Sequence, residues 1–357
     1  MSSSNETVRV GFVGLGNIGH HHADRIVDIP GVDIVGGVDI NPDARARFAE
    51  KYGVESFESY EDLYEADVDA VIVTTPNKFH EEYAIAALES GLDVLLEKPL
   101  AHSLESAERI AEADYNSSGF CMVGFHNRYR NPVEVLKGYQ DEGRFGDTRH
   151  VEANFIRRRG IPGRGSWFTN RDIAGGGALI DIGVHAIDLA LHFQDFPKVT
   201  EVSGTIRSQF GTREDYAYLE MWGDDTQSGD FSVDDSVSAF LRCEGGKTIA
   251  LEVAWAANRS PDEEFIIRGT EAGATFDKAD DSLTVYETGQ QGTDHFSDSE
   301  IKTRHEDPHK AEQRAFFDAV RRGSPPERNT VEQALEVQRV IDAIYRSNDE
   351  DRAIRLD

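Results

Sequence analysis

Two groups of residues combine types and spacing that could do chemistry. Glu97-Lys98-Pro99 closes the apolar run Asp93-Val94-Leu95-Leu96, which reads as a buried strand ending at a functional edge. A lysine just inside such an edge must be paired or put to use, unless its long stem carries the ammonium to the surface. The second group is Asp181, His185 and Asp188, spaced i, i+4 and i+7 along Ala178–Phe193 after Gly175-Gly176-Gly177. On a helix that spacing stacks the three side chains on one face. A carboxylate one turn from an imidazole can orient it and raise its basicity, which is what a general base requires. The plain alternative is a satisfied core histidine. Leu179, Ile180, Ile182, Val184, Ile187 and Leu189 surround the polar stripe, so the helix should be largely buried.

Lys98 needs a sheet to carry it. Val8–Val13 is a short strand-like run that flows into Gly14-Leu15-Gly16-Asn17-Ile18-Gly19 and then a helical stretch from Ile18 to Ile29. A G-x-G-x-x-G match gains meaning from that context. Gly14 permits the tight turn, Gly16 lets backbone approach a pyrophosphate, and Gly19 allows close helix–strand packing. The helix start at Asn17 and Ile18 offers N–H donors to the phosphates. A second strand, Asp33 to Val38, ends in Asp39, twenty positions after Gly19, where a carboxylate reads the adenosine ribose hydroxyls. Such a carboxylate repels a 2′-phosphate and favours NAD over NADP, although Arg45 or Arg47 could reach that phosphate.

Helical and strand patterns then alternate: helix Pro42–Tyr52, strand Ala70–Thr74, helix Phe79–Ser90, the strand to Glu97, helix Ser103–Tyr115 and strand Cys121–Phe125. This implies a doubly wound parallel sheet covered on both faces, the Rossmann arrangement, in a dinucleotide-binding domain over residues 1–125. Ligands bind at the carboxyl ends of its strands. Thr75, Pro76 and Asn77 should therefore line the crevice with Glu97 and Lys98, and His80 either touches the cofactor or has a capping or packing role. His20-His21-His22 lies on the first helix and is not read as a metal site.

After Phe125 the rhythm stops, and residues 126–357 read as an α+β substrate domain. Its strand-like runs are Val151–Ile156, Val199–Phe210, Ser236–Cys243, Thr248–Ala254 and Phe265–Arg268. Their alternation suggests an antiparallel sheet with one covered face. Asp224–Asp235 and Thr288–Asp307 read as acidic loops, His126–Gln140, Pro308–Arg322 and Val331–Arg346 as helices. Arg157, Arg158, Arg159, Arg164 and Arg171 form either an anion-binding loop or partners for carboxylates or a neighbouring subunit. Trp167 and Phe168 offer a stacking surface for a sugar ring, or belong to the core.

The chain has 357 residues and a formal charge of −29, and its 37 cations include only nine lysines. Such an acidic, lysine-poor composition suits a high-salt cytoplasm, the alternative being an ordinary acidic cytosolic protein, and is a poor partner for nucleic acid or an anionic membrane. Two distant cysteines indicate neither disulfide nor zinc. No signal segment and no apolar stretch of membrane-spanning length is expected, which points to a cytoplasmic protein.

Gly14-x-Gly16-x-x-Gly19, Glu97-Lys98-Pro99 and Asp181-x-Gly183-x-His185, in this order, resemble the glucose–fructose oxidoreductase / inositol 2-dehydrogenase (Gfo/Idh/MocA) family over nearly the whole chain. The resemblance implies a catalytic site at Lys98, Asp181 and His185. It also implies a large, mostly antiparallel open sheet in the second domain, and an oligomer, dimer or tetramer, joined through it. Asn127-Arg128-Tyr129 resembles a short basic-aromatic motif of the family and places Arg128 at the substrate. The implied function is hydride transfer between a nicotinamide and a secondary hydroxyl of a sugar or cyclitol. The alternatives are a nucleotide-sugar dehydrogenase, redox-assisted glycoside cleavage with retained NAD, and a non-catalytic sensor.

Overall fold

Alternating strands and helices in the first third build a six-stranded parallel sheet from β1 (Val8–Val13), β2 (Val32–Val38), β3 (Glu55–Phe57), β4 (Ala70–Val73), β5 (Asp93–Leu96) and β6 (Cys121–Val123), in the order β3-β2-β1-β4-β5-β6. The order reverses at β1, which creates the switch point beside which such sheets bind ligands. The computed structural model describes residues 7–217 and 231–356. β1, β4 and β5 are apolar along nearly their whole length because helices cover both faces.

Local signals set the helix ends. Helix Pro42–Tyr52 starts with Pro42 in its first turn, with the Asn41 side chain accepting the Asp43 N–H, and it stops at Gly53, whose φ is 68°. Helix Leu104–Asn116 is capped by Ser103, and helix Pro308–Arg322 by Asp307. These caps lie within a residue or two of the expected bounds. The short strand β3 and helix Tyr60–Glu65 were not expected. At three and six residues they are too brief to carry a periodicity.

The chain divides into two units, Met1–His126 with Asp307–Gln338, and Asn127–Glu306 with Arg339–Asp357. The expected division into 1–125 and 126–357 does not include the return of residues 307–338 to the first unit. There, helix Pro308–Arg322 packs on helix Asn17–Ile26 and on β1, and Met122 of β6 pairs with Thr330. Burial of Phe316, Phe317 and Ala319 gives the reason. That apolar stripe is long enough to cover a Rossmann helix, and a stripe does not say which neighbour it will cover.

Among the described residues, the second unit holds nine strands: β7 (Thr148–Ile156), β8 (Val199–Arg207), β9 (Ser236–Cys243), β10 (Thr248–Ala254), β11 (Glu264–Gly269), β12 (Ala272–Asp277), β13 (Ser282–Gly289), β14 (His295–Ile301) and β15 (Ile354–Arg355). Their order is β14-β13-β12-β11-β7-β10-β9-β8-β15. Every adjacent pair is antiparallel except β7 and β10. Val151, Ala153, Val237, Leu241, Ile249, Leu251, Val253, Phe265 and Ile267 are buried, and helix Val184–His192 packs against β7 and β10.

β14 overturns part of the loop expected over Thr288–Asp307. Its sequence, His-Phe-Ser-Asp-Ser-Glu-Ile, buries no residue fully, yet it pairs residue by residue with β13. An edge strand can be that polar because backbone bonds to one neighbour hold it. For the other expected loop, residues 224–230 lie outside the described residues, while Asp234 and Asp235 are buried rather than solvated. Residues 171–192, contrary to expectation, do form a helical run long and apolar enough to cross a membrane, with mean hydropathy 1.4. It is 89% buried, as a core helix is.

Candidate active site

In the first unit, the turn after β1 is shaped by close approaches. Gly14 has φ +93°, and a Cβ on it would lie 2.9 Å from the Thr74 carbonyl carbon, while one on Gly19 would lie 2.4 Å from the Gly14 oxygen. A Cβ on Gly16 would meet nothing within 4 Å. That open space sits at the start of helix Asn17–Ile26, where no side chain caps the first N–H groups. Asn17 and Ile18 are exposed there. The cradle therefore fits a pyrophosphate.

Asp39 closes one side of the turn. Its carboxylate accepts the Leu15 and Asn41 N–H groups, both at 2.8 Å, and is thereby fixed at the end of β2. Arg45 donates to the Asp39 carbonyl oxygen at 2.8 Å and lies 3.5 Å from Glu58. Across the turn, the Thr74 hydroxyl donates to the Gly14 oxygen at 2.7 Å. The Thr75 hydroxyl is buried without a hydrogen-bond partner among the described residues, as expected of a group that meets a ligand. Pro76 is half-buried and Asn77 buried beside it.

His80 does not face this cradle. It is fully buried, with its ring nitrogens 2.8 Å from the Pro99 oxygen and 3.0 Å from the Thr75 oxygen. Burial holds its pKa low despite those carbonyls. Of the roles expected of His80, cofactor contact or capping and packing, these bonds support packing, as a strut between two loops.

Glu97 also turns inward. One carboxylate oxygen lies 2.7 Å from His22 Nε2, and the other accepts the Lys98 N–H at 3.1 Å. The Gln313 amide lies 2.8 Å from His22 Nδ1, so it donates to that nitrogen and directs the imidazole proton toward Glu97. Burial opposes the charge on Glu97, but His22, with Lys98 and His309, outweighs it and pulls the carboxyl down to about 2. Glu97 therefore fixes the backbone that presents Lys98. Lys98 is half-buried at the end of β5.

Of the histidine run, His20 packs on Phe48 and Tyr52, and His21 meets His309 edge to face at 4.5 Å. Burial drives the His309 pKa down to about 3. No metal-holding group of His, Cys, Asp or Glu occurs among the described residues.

In the second unit, Asp181 and His185 are both 6% exposed. Asp181 lies in a π-helical turn, Leu179–Gly183, that leads into helix Val184–His192. Such turns are rare and often accompany functional sites. The Asp181 carboxylate accepts the Trp255 indole N–H at 2.9 Å. The start of the segment is held by Asp234, whose carboxylate accepts the Gly177 and Leu179 N–H groups and the Tyr345 hydroxyl. Neighbouring Asp235 accepts the Gln209, Phe210 and Gly211 N–H groups. None of these supports was singled out from sequence. Asp234-Asp235 resembles surface acid, and Trp255 lies 74 positions from Asp181.

Asp188, third in the polar stripe, is committed to Arg128. The guanidinium makes contacts of 3.0 Å and 2.5 Å to its carboxylate and lies 4.6 Å above the Phe196 ring. Side-chain exposures are 0% and 1%. Arg128, expected at the substrate, is instead one half of a buried ion pair.

The arginine cluster also departs from expectation. Arg159 donates to the Arg158 and Ala257 carbonyls and to Asn258. Arg157 lies over Phe155 and donates to the Gly160 carbonyl, while Arg164 donates to the Arg213 carbonyl and lies over Tyr216. Backbone oxygens and aromatic faces take these guanidinium groups, and Arg158 is exposed. Trp167 and Phe168 stack on each other at 3.8 Å and remain half-buried.

Comparison with known proteins agrees with this architecture. The profile of an oxidoreductase family with an NAD-binding Rossmann fold matches residues 8–125, and the GFO/IDH/MocA C-terminal domain matches residues 133–275. The chain is 29% identical to D-glucoside 3-dehydrogenase of Escherichia coli, over 98% of this chain and 97% of that one. It is 32% identical, over 73% of its own length and 72% of the relative's, to a chain of Amycolatopsis mediterranei whose name places it in a UDP-kanosamine synthase as the oxidoreductase subunit. A levoglucosan dehydrogenase solved with NADH and levoglucosan shares the fold, with a TM-score of 0.86 at 24% identity, covering 98% of this chain and 99% of that chain.

Proposed function

The chain belongs to the Gfo/Idh/MocA oxidoreductase family, and from that premise we propose that it is a dehydrogenase of a secondary hydroxyl on a sugar or cyclitol. The observation that carries this is the buried pair Asp181 and His185 on a largely apolar core helix. These residues stand, with Lys98, at the positions that the motifs mark. A sensor would have no use for such a set, and burying it without use would be costly.

A bound nicotinamide dinucleotide supplies the hydride acceptor. The chain's own residues do the rest. His185 accepts the hydroxyl proton as hydride leaves the carbon, and Lys98 donates a hydrogen bond to the oxygen as it gains alkoxide character. Asp181 orients the substrate's neighbouring hydroxyls or the imidazole. Gly14, Gly16, Asn17, Ile18 and Gly19 cradle the pyrophosphate, and Thr75, Pro76 and Asn77 border it. NAD is preferred to NADP because Asp39 is held in place by two backbone donors and Arg45 is already bonded to the Asp39 carbonyl.

A relative named as a D-glucoside dehydrogenase that spans nearly the whole chain favours an uncharged glycoside or sugar, which Trp167 could stack against. A nucleotide-sugar substrate is the second reading, supported by the relative from a UDP-kanosamine synthase. The commitment of Arg157, Arg159 and Arg164 to carbonyls weighs against it. The acidic, lysine-poor surface fits a salt-rich cytoplasm, and a second copy covering the open face of the nine-stranded sheet would make a dimer or tetramer.

The test is NADH and NADPH formation in molar KCl against sugars, cyclitols, sugar acids and nucleotide-sugars, beside Lys98→Ala and His185→Ala. Both variants should lose most turnover and still bind NAD. Full turnover in both would overturn the assignment.

A further inference from the structure

We infer that Trp255 is a positioning residue for the reaction, acting through the indole N–H that holds the Asp181 carboxylate. The inference rests on the catalytic reading of Asp181 and His185 and goes beyond it, since no motif includes Trp255.

Trp255 follows β10 directly and is among the largest fully buried side chains of the protein. Its backbone is tied on both sides: its N–H donates to the Asp235 oxygen at 2.9 Å, and its oxygen accepts the Gly160 N–H at 2.8 Å. Asp235 is in turn pinned by three backbone donors. The indole thus has little freedom to turn, and its N–H lies 2.9 Å from Asp181 Oδ2. An indole donates only and does not titrate in the working pH range. It stabilises the ionised carboxylate without competing for the proton that the reaction moves. By taking Oδ2 it also sets the plane in which the other oxygen is presented.

Asp181 needs such a partner. It sits in a π-helical turn, a rare element that often accompanies functional sites. Asp234 anchors the start of that turn through Gly177 and Leu179, and Trp255 holds the carboxylate of Asp181 itself. The rival reading is that the indole N–H is merely satisfied, as buried Trp requires.

Trp255→Phe keeps most of the ring and removes the donor. It should lower kcat/KM about tenfold, the scale of one hydrogen bond to a charged group. Asp181→Asn should lower it further, and adding Trp255→Phe to Asp181→Asn should cost less than about twofold more, because the two act through one group. Effects that multiply in the double variant, or Trp255→Phe turnover within about twofold of the parent, would overturn the inference.

A second measurement does not depend on activity or on Trp255→Phe folding well. In protein labelled with 15N at tryptophan, the indole resonance that disappears in Trp255→Phe, or that remains after Trp167→Phe and Trp222→Phe, should shift in Asp181→Asn. An unmoved resonance means no such bond and overturns the inference while leaving the catalytic reading intact. Full turnover in Asp181→Asn overturns the catalytic reading, and the positioning role with it, even where the resonance moves.

Discussion

Breaking the Arg128–Asp188 pair should destabilise the second unit far more than it affects substrate binding. Both side chains are essentially without solvent. Burial pushes the Asp188 carboxyl up, and the guanidinium opposes that. Arg128→Met removes the cation and leaves a buried carboxylate facing an apolar chain. Losing one partner of a buried pair costs about 3–5 kcal/mol. At roughly 2–4 °C per kcal/mol for a domain of this size, the melting temperature should fall by about 6–20 °C. Asp188→Leu should cost a similar amount. The double variant, with both charges gone and the volume filled, should recover to within about 1–2 kcal/mol of the parent.

The assay is calorimetric unfolding of the cofactor-free protein, with steady-state kinetics on the double variant. Recovery of the melting temperature with an unchanged KM would confirm that Arg128 works on the fold. Single variants costing less than about 1 kcal/mol would refute the energetic argument. A double variant that melts normally but has a KM raised about tenfold or more would return Arg128 to the substrate.

Three further outcomes follow from the geometry. Gly16→Ala adds a methyl into open space, so the cofactor-free melting point should stay within about 2 °C while the rise on adding NADH is lost; Gly19→Ala, with its Cβ 2.4 Å from the Gly14 oxygen, should itself cost about 1–3 kcal/mol. Asp93 and Asp114 line one cavity of about 450 Å³, and burial pushes each carboxyl up to about 6. Their folded pKa values exceed the unfolded value, so the stability they lend is full below about pH 4 and lost as pH rises through about 6. Asp93→Asn, which keeps an acceptor for the Phe120 N–H, should therefore stabilise the protein by roughly 1 kcal/mol at pH 8, after allowing for solvent screening, and by nothing near pH 4. With a net charge of −29, the melting temperature should climb between about 0.1 and 3 M KCl, as the screening length shrinks below about 3 Å; a flat profile would remove the high-salt reading.

What was legible in the sequence is what the backbone demands locally. Gly14 and Gly19 are glycine because a Cβ would collide with neighbouring backbone, and a constraint of that kind leaves its mark at the same few positions wherever the turn is built. Lys98 could be read for a similar reason, at the end of an apolar strand that has to stop at an edge. The strands β9 and β10 were legible because alternating burial repeats every second residue. β14 was not, because its ladder to β13 is made by backbone groups that every residue carries.

The supports of the site were hidden for a different reason. A buried charge is tolerable only with a partner, and that partner can come from any element the fold brings near. Asp188 found Arg128 at 60 positions, and Glu97 found His22 at 75. In sequence Asp188 looked like a functional residue because burial and chemistry require the same residue types, and Arg128 because its segment resembles a motif of the family. The same ambiguity worked in reverse for Asp234 and Asp235, which looked like solvated acid and hold the segment bearing Asp181 and His185 through backbone N–H groups that no sequence pattern records. Residue type therefore identifies which side chains would cost energy if buried, and the partner found in the fold decides which of them remain available for chemistry.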